Sequence, residues 1–283
     1  MSRLIINADD FGLTSGVNRA IAELHQAGVL TSATLMARAG ATPEAIQIAL
    51  ATASLGVGCH VVLVDGEPVL PPREIPSLVD RQTGCFPPRL TTFLGRLFTG
   101  RIRATEIEAE AAAQIALLQH AGLRLTHIDT HKHTHMFPPV LQPLLRAARK
   151  AGIGAVRNPF EPEWAVRATP RASITRTAEV IALRRLGPFF RRMIARENVA
   201  TTDGTIAVTG TGTFNVDTAR ALLSELPEGT WELVTHPGYN DADLEKVRTR
   251  LRASRDTERQ ALVALREFPS IDLISFADLR SPV

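Results

Sequence analysis

Short apolar segments alternate with amphipathic helical segments along this chain, and the alternation restricts its fold more than any other feature. Eight segments have the composition of buried strands: 4–8, 32–36, 56–64, 125–130, 154–157, 205–208, 231–235 and 273–275. Helical spacing of apolar residues lies between them, over 14–27, 43–53, 104–121, 138–151, 177–197, 218–226 and 254–268. Strands that alternate with helices form parallel sheets with right-handed crossovers. The pattern therefore predicts an α/β fold, either a barrel or an open doubly wound sheet.

The length of 283 residues suits a single α/β barrel. We expect one domain over 1–283, with irregular excursions near 65–100 and 158–205, the first of them rich in proline and glycine. Hydrophobic residues make up 45% and charged residues 22% of the chain, which excludes collagen, low-complexity disorder and a disulfide scaffold.

Charge and cysteine content restrict the partners and the compartment. Lys and Arg number 32 against 29 Asp and Glu, and only 5% of residues are aromatic, so nucleic acid is not an expected partner. Cys59 and Cys85 form no CxxC pair, which suits a reducing cytosol. The first residues turn acidic after a short apolar run, and the long uncharged run 45–64 contains polar residues and glycines. We therefore expect no signal peptide, no membrane span and a cytoplasmic location.

The densest chemical signal is the segment 127–135, which holds four of the eight histidines. In an extended chain, a spacing of two places alternate residues on one face, here His127, Asp129, His131, His133 and His135. Crowded imidazoles repel one another when protonated, whereas a divalent cation binds their neutral form. This pattern favours a metal site; the alternative is a solvated histidine-rich loop.

Other polar residues occur where predicted strands end. Asp9 and Asp10 follow the first strand and could instead cap the next helix. His60 lies in an apolar strand and could instead be a hydrogen-bonded core residue, while Arg157 and His236 each precede a turn. In a (β/α) barrel the carboxyl ends of all strands open on one face, where barrel enzymes place their chemistry. This convergence favours a barrel of about seven strands over an open sheet.

Four motifs together resemble the YdjC-like carbohydrate deacetylases of the NodB/YdjC superfamily: NADDFG at 7–12, GCH at 58–60, HIDTHKHTH at 127–135 and THPG at 235–238. The resemblance implies a distorted (β/α) barrel and a hydrolase that uses one divalent metal ion to deacetylate N-acetylated amino sugars. By matching position, it makes Asp10, His60 and His131 the metal ligands, Asp9 the base and His236 the acid. Thr130 stands where the family often has glycine.

Two further segments, 64–72 and 156–162, resemble the HpnK branch associated with hopanoid biosynthesis. That branch implies a substrate in which N-acetylglucosamine is linked to a hopanoid lipid. Nitrogen and oxygen ligands favour zinc over magnesium, although the family leaves magnesium open. We expect Asp129, His133, His135 and Arg157 to support the ligands or to bind the substrate.

The segment 183–194 mixes apolar side chains with four arginines. Such a stretch could rest on the inner face of an anionic membrane; the alternative is a helix packed on the barrel or at a contact between copies of the chain. Two rival functions stay open. One is another metal-dependent barrel hydrolase, an amidohydrolase or a phosphoesterase, and the other is a non-catalytic sugar-binding protein.

Overall fold

The computed structural model describes residues 2–265 and 271–279. Its sheet contains seven parallel strands: β1 (Ser2–Phe11), β2 (Ser32–Leu35), β3 (Gly56–Val61), β4 (Ile128–Thr130), β5 (Gly204–Ile206), β6 (Gly229–Thr235) and β7 (Asp272–Leu273). The strand order is β4-β3-β2-β1-β6-β5, and β7 pairs with the beginning of β1. The prediction of a distorted (β/α) barrel with about seven parallel strands is confirmed.

The curve of the sheet continues between β4 and β5 through a segment with few ladder hydrogen bonds. Val156 forms an isolated parallel bridge with Ile128 of β4, and Ala155 forms one with Ala200. Further along, the Thr205 amide of β5 donates to the Phe160 carbonyl. The predicted strand 154–157 is therefore present only as isolated bridges, and this is where the barrel is most irregular.

Eleven helices lie among the described residues. They are α1 (Ser15–Gln26), α2 (Thr42–Ala51), α3 (Leu90–Phe98), α4 (Ala104–His120), α5 (Pro138–Lys150), α6 (Glu163–Ala168), α7 (Ile174–Leu183), α8 (Gly187–Glu197), α9 (Val216–Ser224), α10 (Ala242–Lys246) and α11 (Arg255–Ala264). The predicted helix 177–197 is divided into α7 and α8 by a 3₁₀ turn over Arg184–Leu186, and Pro188 opens α8 because its fixed φ suits a first turn. Helices α3, α6 and α10 were not predicted. The predicted end of the last helix at Phe268 lies outside the described residues.

The proline-rich excursion after β3 is held by buried carboxylates of α4. Glu110 accepts backbone hydrogen bonds from Val69 at 2.8 Å and Leu70 at 3.0 Å. Glu106 accepts one from Ser77 at 2.7 Å. These bonds satisfy backbone amides that the loop itself leaves unpaired, so the excursion is ordered against the barrel and then leads into α3.

Among residues 2–265 and 271–279, no helix combines the length and apolar character needed to cross a bilayer.

Candidate active site

A backbone irregularity near the end of β1 sets the directions of the two adjacent aspartates. The register between β1 and β2 shifts between Ala8 and Phe11, and Asp10 has a left-handed φ of 63°. Such a φ is rare for a residue other than glycine and occurs often at functional sites. As a result, Asp9 contacts Thr34 and Arg157, whereas Asp10 contacts His131 and Arg255.

Asp10 of β1, His60 of β3 and His131, which follows the end of β4, come together. Their facing atoms form a triangle: Asp10 Oδ1 lies 3.2 Å from His131 Nδ1 and 3.6 Å from His60 Nε2, and the two nitrogens are 3.3 Å apart. Asp10 and His60 are buried, while the His131 side chain is 19% exposed. His131 is therefore the member of the triangle that reaches solvent.

These three side chains fit a divalent cation. Tetrahedral zinc with bonds of about 2.0–2.1 Å places its ligand atoms about 3.3–3.4 Å apart, whereas octahedral magnesium places neighbouring ligands about 2.9–3.0 Å apart. The observed separations of 3.2–3.6 Å match the first value better. In addition, the buried Oδ1 of Asp10 accepts no hydrogen bond from any residue that the structure describes. A buried carboxylate oxygen that faces two imidazole nitrogens is a donor set for a cation.

Asp129 fixes the orientation of His60. Its Oδ1 lies 2.8 Å from His60 Nδ1, which directs Nε2 toward Asp10 and His131. Burial alone would lower the pKa of His60, but the carboxylates of Asp129, Asp9 and Asp10 raise it to about 9. When no cation is present, both ring nitrogens of His60 therefore carry a proton. Metal binding would displace the proton on Nε2.

Arg157 is the centre of a buried cluster of carboxylates. Its guanidinium donates to both oxygens of Asp9, at 2.6 and 2.9 Å, and also pairs with Asp129 and with Glu232, the latter at 2.7 Å. All four side chains are almost fully inaccessible to solvent. Asp9, His60 and Asp129 also lie within 4.8 Å of one another. Arg157 already supplies positive charge to both of these aspartates, so this second group is an ion-pair network rather than a metal site.

Burial penalises the ionised form of the clustered carboxylates, and Arg157 opposes that penalty. For Asp9 the attraction of Arg157 exceeds the effect of burial. Together with His60 and His236, Arg157 holds the pKa of the Asp9 carboxyl far below its ordinary value. For Glu232, burial together with the neighbouring Asp9 and Asp129 outweighs Arg157 and raises its pKa to about 7. Asp9 is therefore the ionised member of this pair at neutral pH.

His236 lies on the other side of Asp9. The parallel register joins Ala8 of β1 to Thr235 of β6, so the residues that follow them are neighbours. His236 Nε2 is 3.9 Å from Asp9 Oδ2, and its Nδ1 is 3.7 Å from the buried Glu258 carboxylate, which also accepts the His236 amide at 2.7 Å. Burial would lower the pKa of His236, but Glu258 and Asp9 raise it above its ordinary value. The protonated imidazole is thus favoured.

The predicted alternation over 127–135 is wrong beyond Thr130. Strand β4 ends there, and His131–Met136 form a 3₁₀ turn in which Lys132 and His133 have left-handed φ values of 58° and 50°. Of the five residues expected on one face, Asp129 and His131 reach the site. His127 instead stacks on Phe276 with ring centroids 3.7 Å apart, and burial lowers its pKa to about 3.

His133 and His135 do not join the Asp10 triangle. His135 lies 2.8 Å from the Thr130 hydroxyl and 3.2 Å from the Arg157 carbonyl, and burial lowers its pKa to about 4. It thereby fixes the turn that presents His131. Burial also lowers the pKa of His133, whose Nδ1 has no hydrogen-bond partner within the described ranges.

Three residues of the site were not predicted from the sequence: Glu232, Arg255 and Glu258. Glu232 could have been found, because it is a lone carboxylate inside an otherwise apolar strand. Arg255 and Glu258 lie on α11 and carry no comparable signal, since charged residues at this spacing are usual on an exposed helix face. Both are nevertheless buried, against Asp10 and His236 respectively.

The fold and the site together define a (β/α)-barrel protein with a candidate cation site at the carboxyl ends of its strands. The sequence profile described as YdjC-like protein matches residues 3–266. The chain therefore belongs to the YdjC-like family.

Relatives with curated names span bacteria and a mammal. A protein from Thermoanaerobacter pseudethanolicus is 28% identical over 93% of this chain and 91% of its own length, and one from Mus musculus is 30% identical over 84% of this chain and 78% of its own. One from Brevibacillus brevis is 41% identical over 56% of this chain and 60% of its own. Each is called a carbohydrate deacetylase.

A solved structure from Enterococcus faecalis V583, of a protein assigned only provisionally to cellobiose-phosphate cleavage, superimposes on this chain. The TM-score is 0.76 at 27% identity, and the match covers 97% of both chains. The barrel described above is thus the fold of a close structural relative over nearly its whole length.

Proposed function

We propose that this chain is a metal-dependent N-deacetylase that hydrolyses the acetamide of an N-acetylglucosamine-type sugar. The observation that carries the proposal is the triangle of Asp10, His60 and His131, with the Asp9–His236 pair beside it. The relatives named carbohydrate deacetylases support deacetylation of a carbohydrate.

Asp10, His60 and His131 would hold one divalent ion, zinc by the spacing of their donor atoms. When bound, the ion would supply Lewis acidity for the amide carbonyl and for the attacking water. Three protein ligands leave further coordination positions open, which is the arrangement of catalytic rather than structural zinc sites.

Asp9 would receive the proton that the attacking water loses, as a weak base whose pKa Arg157 lowers. Arg157 keeps its carboxylate ionised and donates to both of its oxygens, which fixes the orientation of the group. The Oδ2 atom that faces His236 accepts a hydrogen bond from Arg157, which leaves a lone pair for the proton.

His236 is suited to give a proton to the departing sugar amine. An amine anion is a very poor leaving group, so C–N cleavage requires this proton. Glu258 orients the ring through Nδ1 and favours its protonated form, which leaves Nε2 directed toward Asp9. A general acid and a general base on one amide are the roles expected for hydrolysis, each contributing about 10²–10⁴-fold.

Acetate release tests this function. The purified protein, loaded with zinc, is incubated with N-acetylglucosamine, chitobiose and a glycosylated hopanoid, and free acetate is measured. We expect release from at least one of them and one zinc ion per chain by elemental analysis. Zinc binding with hydrolysis of phosphate esters or of unrelated amides would favour the rival hydrolase, and sugar binding without release would favour the binding protein.

Removing a metal ligand is expected to abolish metal binding and activity together. We predict that Asp10→Ala and His131→Ala bind less than a tenth of the zinc of the unaltered chain, because two ligands rarely retain zinc against a chelator. Chelation of the unaltered protein should give the same loss, reversible on adding zinc. His236→Ala is the matched control: it should keep zinc and lose turnover. Full activity of the stripped protein would contradict the proposal.

A lipid-linked form of the substrate is a second candidate, favoured by the surface of α7 and α8. Ile174 is 89% exposed, Ile181 49% and Phe189 53%, and the exposed Arg185 and Arg192 lie along the same segment. Val180 of α7 is buried and packs with Val208 and Val234, near the carboxyl ends of β5 and β6. We therefore infer that this exposed surface lies beside the site and could rest on an anionic membrane.

Vesicle binding measures that interaction. Sedimentation with phosphatidylglycerol vesicles is expected to fall more than tenfold in the Arg185→Glu/Arg192→Glu variant, since each arginine near an anionic surface contributes about 1 kcal/mol. The matched control is Arg248→Glu/Arg250→Glu, which reverses two exposed arginines elsewhere and should change binding little. Equal binding of both variants, or none by the unaltered chain, would exclude the membrane contact and leave a soluble sugar as substrate.

A further inference from the structure

The buried environment of the Arg255 side chain is unfavourable for the stability of the fold. Its side chain is 1% exposed, and its Nη2 donates to Asp10 Oδ2 at 2.5 Å. Its Nε and Nη1 have no hydrogen-bond partner among the residues that the structure describes. Guanidinium stays charged in proteins, and buried donors without partners destabilise a fold. The short hydrogen bond that this buried side chain does make is with Asp10, a candidate metal ligand.

Because of this contact, the two oxygens of Asp10 face different partners. Oδ2 is occupied by Arg255, while Oδ1 accepts no hydrogen bond and faces the imidazoles of His60 and His131. A free carboxylate could rotate, or present both oxygens to a cation. Here rotation would break a short charge-assisted hydrogen bond, which is among the stronger polar contacts in proteins.

The backbone at Asp10 makes this support necessary. Because the register with β2 shifts here and φ is left-handed, regular strand hydrogen bonding does not fix the carboxylate direction. Arg255 is fixed independently: it begins α11, and its carbonyl accepts the Gly238 amide at 3.2 Å in the turn after β6. A Cβ at Gly238 would lie 3.1 Å from Arg255 Cδ, so glycine permits this close approach.

We propose that Arg255 is a positioning residue that holds Asp10 as a ligand through one oxygen only. This role rests on the proposed metal-dependent function. It gives the site two consequences: the Asp10 carboxylate is preorganised for the cation, and the coordination position that its second oxygen would fill stays available to water and to the substrate carbonyl.

Zinc affinity of the metal-stripped protein tests the role without relying on activity. Competition with a chromophoric chelator should show a 10- to 100-fold weaker affinity in Arg255→Met, the usual effect of removing a group that orients a ligand. Arg255→Lys keeps the charge and one donor, so it should recover part of the loss. The matched control is Arg259→Met, which removes an arginine of the same helix that pairs with Asp256 and stacks on Tyr239. It should bind zinc within twofold of the unaltered chain.

The visible spectrum of the cobalt-loaded protein gives a second measurement. Cobalt absorbs strongly in tetrahedral sites and weakly at higher coordination number, so Arg255→Met and Arg255→Lys should absorb less strongly if Asp10 gains a second bond to the metal. Should Arg255→Met fail to fold, Arg255→Lys carries both measurements. Zinc affinity and a cobalt spectrum equal to those of Arg259→Met would overturn the role of Arg255. Tight zinc binding by the unaltered chain without acetate release would instead overturn the proposed function alone.

Discussion

Replacing Asp9 by asparagine is expected to lower kcat for acetate release by about 10²–10⁴-fold, the usual contribution of a general base. Asparagine has nearly the same shape but cannot take the proton from water. Its amide also offers Arg157 one acceptor in place of two, so the residual group is less firmly oriented. Steady-state kinetics of the zinc-loaded variant measure the effect.

Zinc content separates this loss from a loss of the metal. Asp9 is not one of the three residues whose donor atoms form the Asp10 triangle, so Asp9→Asn should retain about one zinc ion per chain. The thermal midpoint, measured in parallel, reports any damage to the Arg157 cluster. A variant that keeps zinc and folds, yet turns over at a near-normal rate, would show that Asp9 is not the base.

The largest expected effect on stability comes from Arg157→Met. Arg157 lies among Asp9, Asp129 and Glu232, all nearly or fully buried, and removing it takes away the guanidinium that the ionised Asp9 and Asp129 share. Breaking a buried ion pair from one side costs about 3–5 kcal/mol. With two ionised carboxylates affected, we expect the free energy of unfolding to fall by at least that amount, measured by urea denaturation. If Arg157→Met does not accumulate as a folded protein, the loss of stability is larger still.

Two further variants test whether lost ion pairs cause the destabilisation by Arg157→Met. Arg146 pairs with Glu108 near the surface, so Arg146→Met should cost about 0–1 kcal/mol. The double variant Arg157→Met/Asp9→Asn should be more stable than Arg157→Met alone, because the unpaired charge of Asp9 is removed. If Arg157→Met were no less stable than Arg146→Met, the cluster would not be an electrostatic support of the site.

Much of the fold was predictable because it follows from local patterns. The apolar runs that become β1, β2, β3 and β6 are buried in parallel ladders, and helices such as α1, α4 and α5 repeat their apolar residues at helical spacing. The short helices α3, α6 and α10 were missed because they lie in irregular segments, where tertiary contacts decide the backbone conformation. The strand expected at 154–157 lacks a full ladder for the same reason.

The candidate site was predictable only in part. A dense histidine motif and adjacent aspartates pointed to a cation, yet the strict spacing of two suggested an extended chain as far as His135. The left-handed residues Lys132 and His133 end that extension and turn the later histidines away. Spacing alone does not show where a strand stops, because hydrogen bonding to the neighbouring strand decides that point.

The sequence by itself determined the parallel α/β architecture and the residue types at the ends of the strands, since both depend on periodicity and on motifs a few residues long. Only the tertiary structure decided how those residues are supported. Arg157 meets Asp9 across 148 positions, and Arg255 meets Asp10 across 245. No local pattern records contacts of that range. They arise because the barrel brings distant strand ends and the start of α11 into one buried space, where a charge is stable only beside its counter-charge.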